Sequence, residues 1–217
     1  MVFNQLISED FEQNIQAILE RFPIKHAILS SVINHPQWVE NCLKHFNGVF
    51  LNSTTKLPII IKYATPNTLG NDRIANAVGL SILYPKQNSL SIDIGTCIKY
   101  DILTENREYL GGAISPGFAM RLKAMNAFTD KLPLVEKSLP THLIGDSTEG
   151  CLLSGAYFGA LAEMTEIINS YKLRFPKLNV VATGGDLYYF EKELKNSIFA
   201  HPFLTLVGLN EILNYNV

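Results

Sequence analysis

The apolar positions change their period along the chain. From Phe11 to Leu19 they fall at Phe11, Ile15, Ile18 and Leu19, a spacing that predicts a helix with one apolar face. Ser8, Glu9 and Asp10 supply capping chemistry ahead of it, and Pro23 follows its end. "HAILSSV" (His26 to Val32) predicts a buried strand, "QWVENCLKHF" a second helix, and "LPIIIKY" (Leu57 to Tyr63) a second strand. Beyond Pro66, "DRIANAVGLSILY" is helical, with Ile74, Ala77, Val78 and Ile82 on one face. Strand and helix alternate here, as in an α/β unit.

The polar turn "YPKQN" (Tyr84 to Asn88) marks a change. "LSIDIGTCIKYDIL" (Leu90 to Leu103), the tight turn "ENRE" (Glu105 to Glu108) and "YLGGAISPG" predict a meander of antiparallel strands. Two helical segments follow, "FAMRLKAMNAFT" and "TEGCLLSGAYFGALAEMTEIINSYKLRF". A strand "NVVATGGD", a helix "LYYFEKELKNS" and an apolar end close the chain. The expected organisation is two α/β domains, residues 1–88 and 89–217.

Composition narrows the function. The 217 residues are 47% hydrophobic and 18% charged, with a formal charge of -2 and no dense Lys/Arg run, which argues against nucleic acid or a membrane surface as partner. The longest apolar runs are far short of a membrane span, and "MVFNQLISEDFEQ" has no signal-peptide pattern. Cys42, Cys97 and Cys151 are scattered, and the five histidines do not cluster with them, so the expected home is a reducing cytoplasm.

The candidate chemistry lies where glycine interrupts apolar runs. No G-x-x-x-x-G-K-[ST] loop occurs and no G-x-G-x-x-G follows a strand. Instead Gly95-Thr96, Gly111-Gly112 with Ser115-Pro116-Gly117, and Gly184-Gly185 sit at strand ends. Glycine there lets backbone N–H groups approach anionic oxygens, and Thr96 adds a hydroxyl donor. Each pair also has a plain structural reading: a hairpin turn at Gly95-Thr96, a bulge at Gly111-Gly112, and a turn before a helix capped by Asp186. Asp93 is harder to explain that way, because a carboxylate between Ile92 and Ile94 serves no hairpin. In "YATPNTLGNDRIANAVG" (Tyr63 to Gly79), Asp72 is either a helix cap or a base for a hydroxyl, and Arg73 offers a planar fork for a carboxylate. A carboxylate that activates an alcohol beside a phosphate clamp is what a small-molecule kinase needs.

Taken in order, "YATPNTLGNDRIANAVG", "IDIGTCIKYD", "GGAISPG", "STEGCLLSG" and "ATGGD" resemble the motifs of type III pantothenate kinases over nearly the whole chain. The resemblance implies the actin-like (ribonuclease H-like) ATPase fold: two α/β domains, each a mixed sheet flanked by helices. It implies ATP-dependent phosphorylation of pantothenate, the first step toward coenzyme A, by a homodimer using ATP, Mg2+ and K+ or NH4+. On that pattern Asp72 is the catalytic base, and Tyr63, Gly70, Asn71, Asp72 and Arg73 line the pantothenate pocket. Thr148 reaches pantothenate from the partner subunit. Gly95 and Thr96 contact ATP, Gly184 and Gly185 border its adenosine end, and Asp93 holds the monovalent cation. Cys97 and Gly150 are mild departures. The large one is that no D-x-G-N-T precedes Asp93, where family members carry a first phosphate loop. The first domain is therefore expected to be incomplete, with an upstream strand-turn-strand unit of about 15–20 residues. The alternative is a catalytically inactive dimeric relative that binds pantothenate or nucleotide without turnover. A sugar or acid kinase of the same superfamily is a third.

Overall fold

The computed structural model describes residues 11–31 and 36–217. The capping residues Ser8 to Asp10 and the Val32 end of the first expected strand lie outside them. In chain order the elements are α1 (Phe11–Arg21), β1 (Ile28–Leu29), α2 (Gln37–His45), β2 (Val49–Phe50), β3 (Ile60–Ile61) and α3 (Asn71–Leu83). The meander β4 (Ser89–Ile94), β5 (Cys97–Leu103) and β6 (Glu108–Pro116) follows. Then come α4 (Phe118–Ala127), α5 (Thr148–Arg174), β7 (Asn179–Thr183), α6 (Leu187–Leu194), β8 (Phe199–Ala200) and α7 (Leu204–Asn216).

The architecture is α/β, with a mixed sheet flanked by helices on both faces. Six strands run in the order β3-β6-β5-β4-β7-β8. The β4-β5-β6 meander is antiparallel, while β7 pairs in parallel with β4, β8 with β7, and β3 with β6. A separate parallel pair, β1 with β2, lies nearer the start of the chain.

Alternation along the strands sends side chains to two cores. Leu90, Ile92, Ile98, Tyr100 and Ala182 pack under α4, α5 and α6 with Phe118, Tyr157 and Phe190. Leu103, Tyr109 and Val181 point the other way, against Ala77 and Leu80 of α3 and Leu204 and Ile212 of α7. Helix α3 is buried from Arg73 to Ser81. It fits because its residues are small where α7 crosses: a Cβ on Gly79 would meet the Leu204 carbonyl, and one on Gly208 the Ala75 carbonyl. The expected bulge falls one residue earlier: Gly112 and Gly111 pair in register with Asp101 and Ile102, and the extra residue is Leu110, between Gly111 at φ +99° and Tyr109.

The helix α5 is long and apolar enough to cross a membrane by length and composition only, a test that core helices also meet. In this fold it is a core helix, with Leu152, Ala156, Ala160, Met164 and Ile168 buried against the sheet. Glu163 on the same helix accepts hydrogen bonds from Tyr100, Ser115 and Arg121, joining α5 to β5, β6 and α4.

Candidate active site

The site forms at the carboxyl ends of the parallel strands β4 and β7, where open α/β sheets bind ligands. Gly95, Thr96 and Cys97 connect the last paired residues of the β4–β5 hairpin, Ile94 and Ile98, and Cys97 already pairs with Pro116 of β6. Gly117, just before α4, donates its N–H to the Thr96 carbonyl at 3.0 Å, and a Cβ on Gly117 would collide with the Gly95 carbonyl. From β7, Gly184 turns at φ +101°, and Asp186 donates its N–H to the Ile94 carbonyl at 2.9 Å. A Cβ on Gly184 would come within 2.6 Å of Asp93 Oδ1. Gly95-Thr96, Gly117 and Gly184 thus converge beside Asp93, and at Gly184 and Gly117 the close approach of backbone requires glycine, whereas Gly111 and Gly112 lie apart, against the Tyr63 ring and the Tyr100 carbonyl.

Asp72 reaches the same place from α3. The residue capping that helix is Gly70, whose carbonyl accepts from Arg73 and Ile74, and Asp72 lies inside the first turn. One carboxylate oxygen, Oδ1, accepts the Arg73 backbone N–H at 2.9 Å. The other, Oδ2, contacts the Lys99 ammonium at 2.5 Å. A Cβ on Gly70 would come within 2.6 Å of Oδ1, so glycine there makes room for the carboxylate. Lys99 also holds Asp93 Oδ2 at 2.7 Å. Its side chain is 19% exposed and that of Asp93 14%, whereas Asp72 stays 47% exposed, open to a substrate.

Burial pushes the Asp72 carboxyl up, but the Lys99 ammonium and the Arg73 N–H outweigh it and hold it below its ordinary value. Burial pulls Lys99 down, and the two carboxylates outweigh that, so the ammonium holds its proton more tightly than usual. Both groups are therefore charged at neutral pH.

Lys99 was not among the residues that sequence reasoning singled out. A two-residue turn at Gly95-Thr96 would set Asp93 opposite Ile98; the observed connection is one residue longer, with Gly95, Thr96 and Cys97 between the paired Ile94 and Ile98, and that extra residue is what brings Lys99 opposite Asp93. Asp101 was missed in the same way. It lies two residues further along β5, its side chain fully buried, and accepts from Arg73 Nε at 2.8 Å and Tyr109 Oη at 2.6 Å. Arg73 is buried too, its guanidinium 5.7 Å from the Tyr63 ring and 6.0 Å from that of Tyr109. Asn71 donates to the Leu51 carbonyl at 2.9 Å and ties α3 to the segment before it.

Tyr63, Gly70, Asp72, Arg73 and Asp93 are thus brought together, with Gly95, Thr96, Gly184 and Gly185 at the adjoining strand ends. Thr148 lies elsewhere in the chain, exposed in the first turn of α5. There, beside Gly145, Asp146 and Cys151, it lines a separate cavity of about 600 Å³. Among the described residues, no group of three or more His, Cys, Asp or Glu side chains could hold a metal ion.

A half-exposed carboxylate steadied by an ammonium, beside glycine-rich backbone at the ends of parallel strands, defines an α/β protein equipped to handle phosphate. Comparison with known proteins gives the particular family. The type III pantothenate kinase family model matches residues 4–170. A type III pantothenate kinase of Christiangramia forsetii is 45% identical over 212 residues, covering 97% of this chain and 87% of its own length. One of Cytophaga hutchinsonii is 44% identical over 204 residues, with 94% and 86% covered. The crystal structure of a Baf family transcriptional activator from Campylobacter jejuni superposes with a TM-score of 0.55 at 23% identity, covering 93% of this chain and 88% of that one, a likeness of fold. The chain belongs to the type III pantothenate kinase family. It is accordingly an enzyme of the transferase class, a kinase.

Proposed function

We propose that this chain transfers the γ-phosphate of ATP to the primary hydroxyl of pantothenate, with Asp72 as the base. The observation that carries it is the Asp72 carboxylate, half exposed, held by Lys99 and set beside the Asp93–Gly184 strand ends. Phosphoryl transfer asks mainly for positioning and charge neutralisation, so a base with a depressed pKa suffices to take the hydroxyl proton late in the transfer. Lys99 fixes the direction of the Asp72 carboxylate. The backbone of Gly95, Thr96, Gly184 and Gly185 approaches the phosphates, and the Thr96 hydroxyl adds a donor. Tyr63, Gly70 and Asn71 line the acceptor pocket with Arg73. The Arg73 guanidinium is steadied by Asp101 through Nε and Nη2, and its remaining donors serve the pantothenate carboxylate.

ATP enters as its magnesium complex, in which the phosphates themselves supply several of the ligands, so no dedicated protein cage is needed. The same proposal includes residues 1–88 as the acceptor-binding domain and 89–217 as the phosphate-binding domain. It also includes a cytoplasmic homodimer in which Thr148 of one subunit reaches the pantothenate of the other. A dissociable K+ or NH4+ on Asp93 does not fit the residues present, because Lys99 already engages Asp93 Oδ2; no step is derived through it.

The test is Asp72→Asn. The amide is nearly isosteric and keeps an acceptor for the Arg73 N–H, so the fold survives. Loss of a base lowers pantothenate-dependent ADP release by about 10²–10⁴-fold. Turnover within a few-fold of the native rate rules out Asp72 as the base.

A further inference from the structure

Asp72 and Asp93 come from different elements, and a single ammonium lies between them, 2.5 Å from one carboxylate and 2.7 Å from the other. Without it two negative charges would face each other where a third, the triphosphate, must arrive. The placement is built in. Lys99 sits opposite Asp93 in the hairpin register, and its side chain is mostly buried. For a dissociable cation to take Asp93 Oδ2, Lys99 would have to surrender that partner and remain beside a second positive charge, with little solvent to compensate. Two of the three ammonium donors are used by the carboxylates, which leaves one for a substrate oxygen.

We propose that Lys99 is the site's own monovalent cation: its tethered ammonium neutralises Asp72 and Asp93 for phosphate binding, so that catalysis needs no dissolved K+ or NH4+. The inference rests on the kinase function proposed above, and its tests separate the two. Pantothenate-dependent ADP release is measured with MgATP over rising KCl or NH4Cl, with tetramethylammonium chloride holding ionic strength constant. The native rate stays within about twofold throughout. Lys99→Ala loses about 10²–10³-fold, the scale of one charge-stabilising donor, and regains part of it on addition of NH4+ or methylammonium, which fill the vacated space.

A native rate that rises tenfold or more with K+ or NH4+ overturns the proposal, whatever the variant does. A second readout is thermal melting in KCl against tetramethylammonium chloride. A K+-specific rise in Tm is expected for Lys99→Ala and not for the native chain, and an equal rise in the native chain overturns the proposal. Should turnover be absent in every salt, the kinase assignment fails, while the melting comparison still decides whether Lys99 holds the cation's place.

Discussion

Replacing Arg73 with Met would expose how this site is held together. Arg73 and Asp101 form an ion pair with side-chain exposures of 7% and 0%. Methionine keeps much of the apolar stem but removes every donor. Asp101 would then keep only the Tyr109 hydroxyl on Oδ1, while its Oδ2 already has no hydrogen-bond partner. Breaking a buried pair from one side costs about 3–5 kcal/mol, because an uncompensated charge stays behind. A chain of this size unfolds in urea with an m-value of about 3 kcal/mol/M, so the midpoint should fall by about 1–1.7 M. Adding Asp101→Asn removes that charge, and the double variant should recover a large part of the loss.

The pH dependence of the single variant carries a sign. Burial raises the Asp101 carboxyl above its ordinary 3.8, against the opposing pull of Arg73 and Tyr109. Removing Arg73 raises it further. Between the unfolded and the raised folded value the native state binds more protons than the unfolded chain, so stability falls as pH rises through that window. The deficit of Arg73→Met should therefore shrink on acidification. A loss under about 1 kcal/mol at neutral pH, the size found for exposed pairs, would refute the buried-pair account.

Two further outcomes follow from the geometry. Gly184→Ala places a Cβ against the Ile94 carbonyl and Asp93 Oδ1 at φ +101°; backbone strain alone should cost about 1–3 kcal/mol, visible as a lower Tm, and the KM for ATP should rise. The Asp72 carboxyl, held down chiefly by Lys99 against the opposing effect of burial, should titrate below 3.8 when followed by carbon-13 NMR. Its stabilising contribution is present above that value and is lost as pH falls through the folded pKa. In Lys99→Met the carboxyl should move upward, and an unchanged titration would contradict the ion pair.

The sequence by itself determined a good deal. Alternating periods announced an α/β chain, and Asp93, set between isoleucines, announced a carboxylate with a purpose. The sequence did not carry the pairing of Asp93 with Lys99: a two-residue turn at Gly95-Thr96 sets Asp93 opposite Ile98, and the three-residue connection Gly95-Thr96-Cys97 shifts the register by one. Nor did it carry extent and company. "HAILSSV" and "LPIIIKY" each read as seven-residue strands, but among the described residues they form Ile28–Leu29 and Ile60–Ile61, because a strand ends where its distant partner does. Strands β2 and β8, two residues each, left no periodic trace, and the apolar end proved to be the helix α7.

The site divides along the same line. Asp72 as base or as cap was undecidable from residue types, since an aspartate at the start of a helix suits either; the structure gives the cap to Gly70 and puts Asp72 inside the first turn. Tertiary packing decided its surroundings: α3, pressed between the sheet and α7 through Gly79 and Gly208, brings Asp72 to Lys99 and Arg73 to Asp101. Those contacts join residues 27 and 28 positions apart. No local propensity encodes such a distance, and only the shared burial of α3 against β5 sets it.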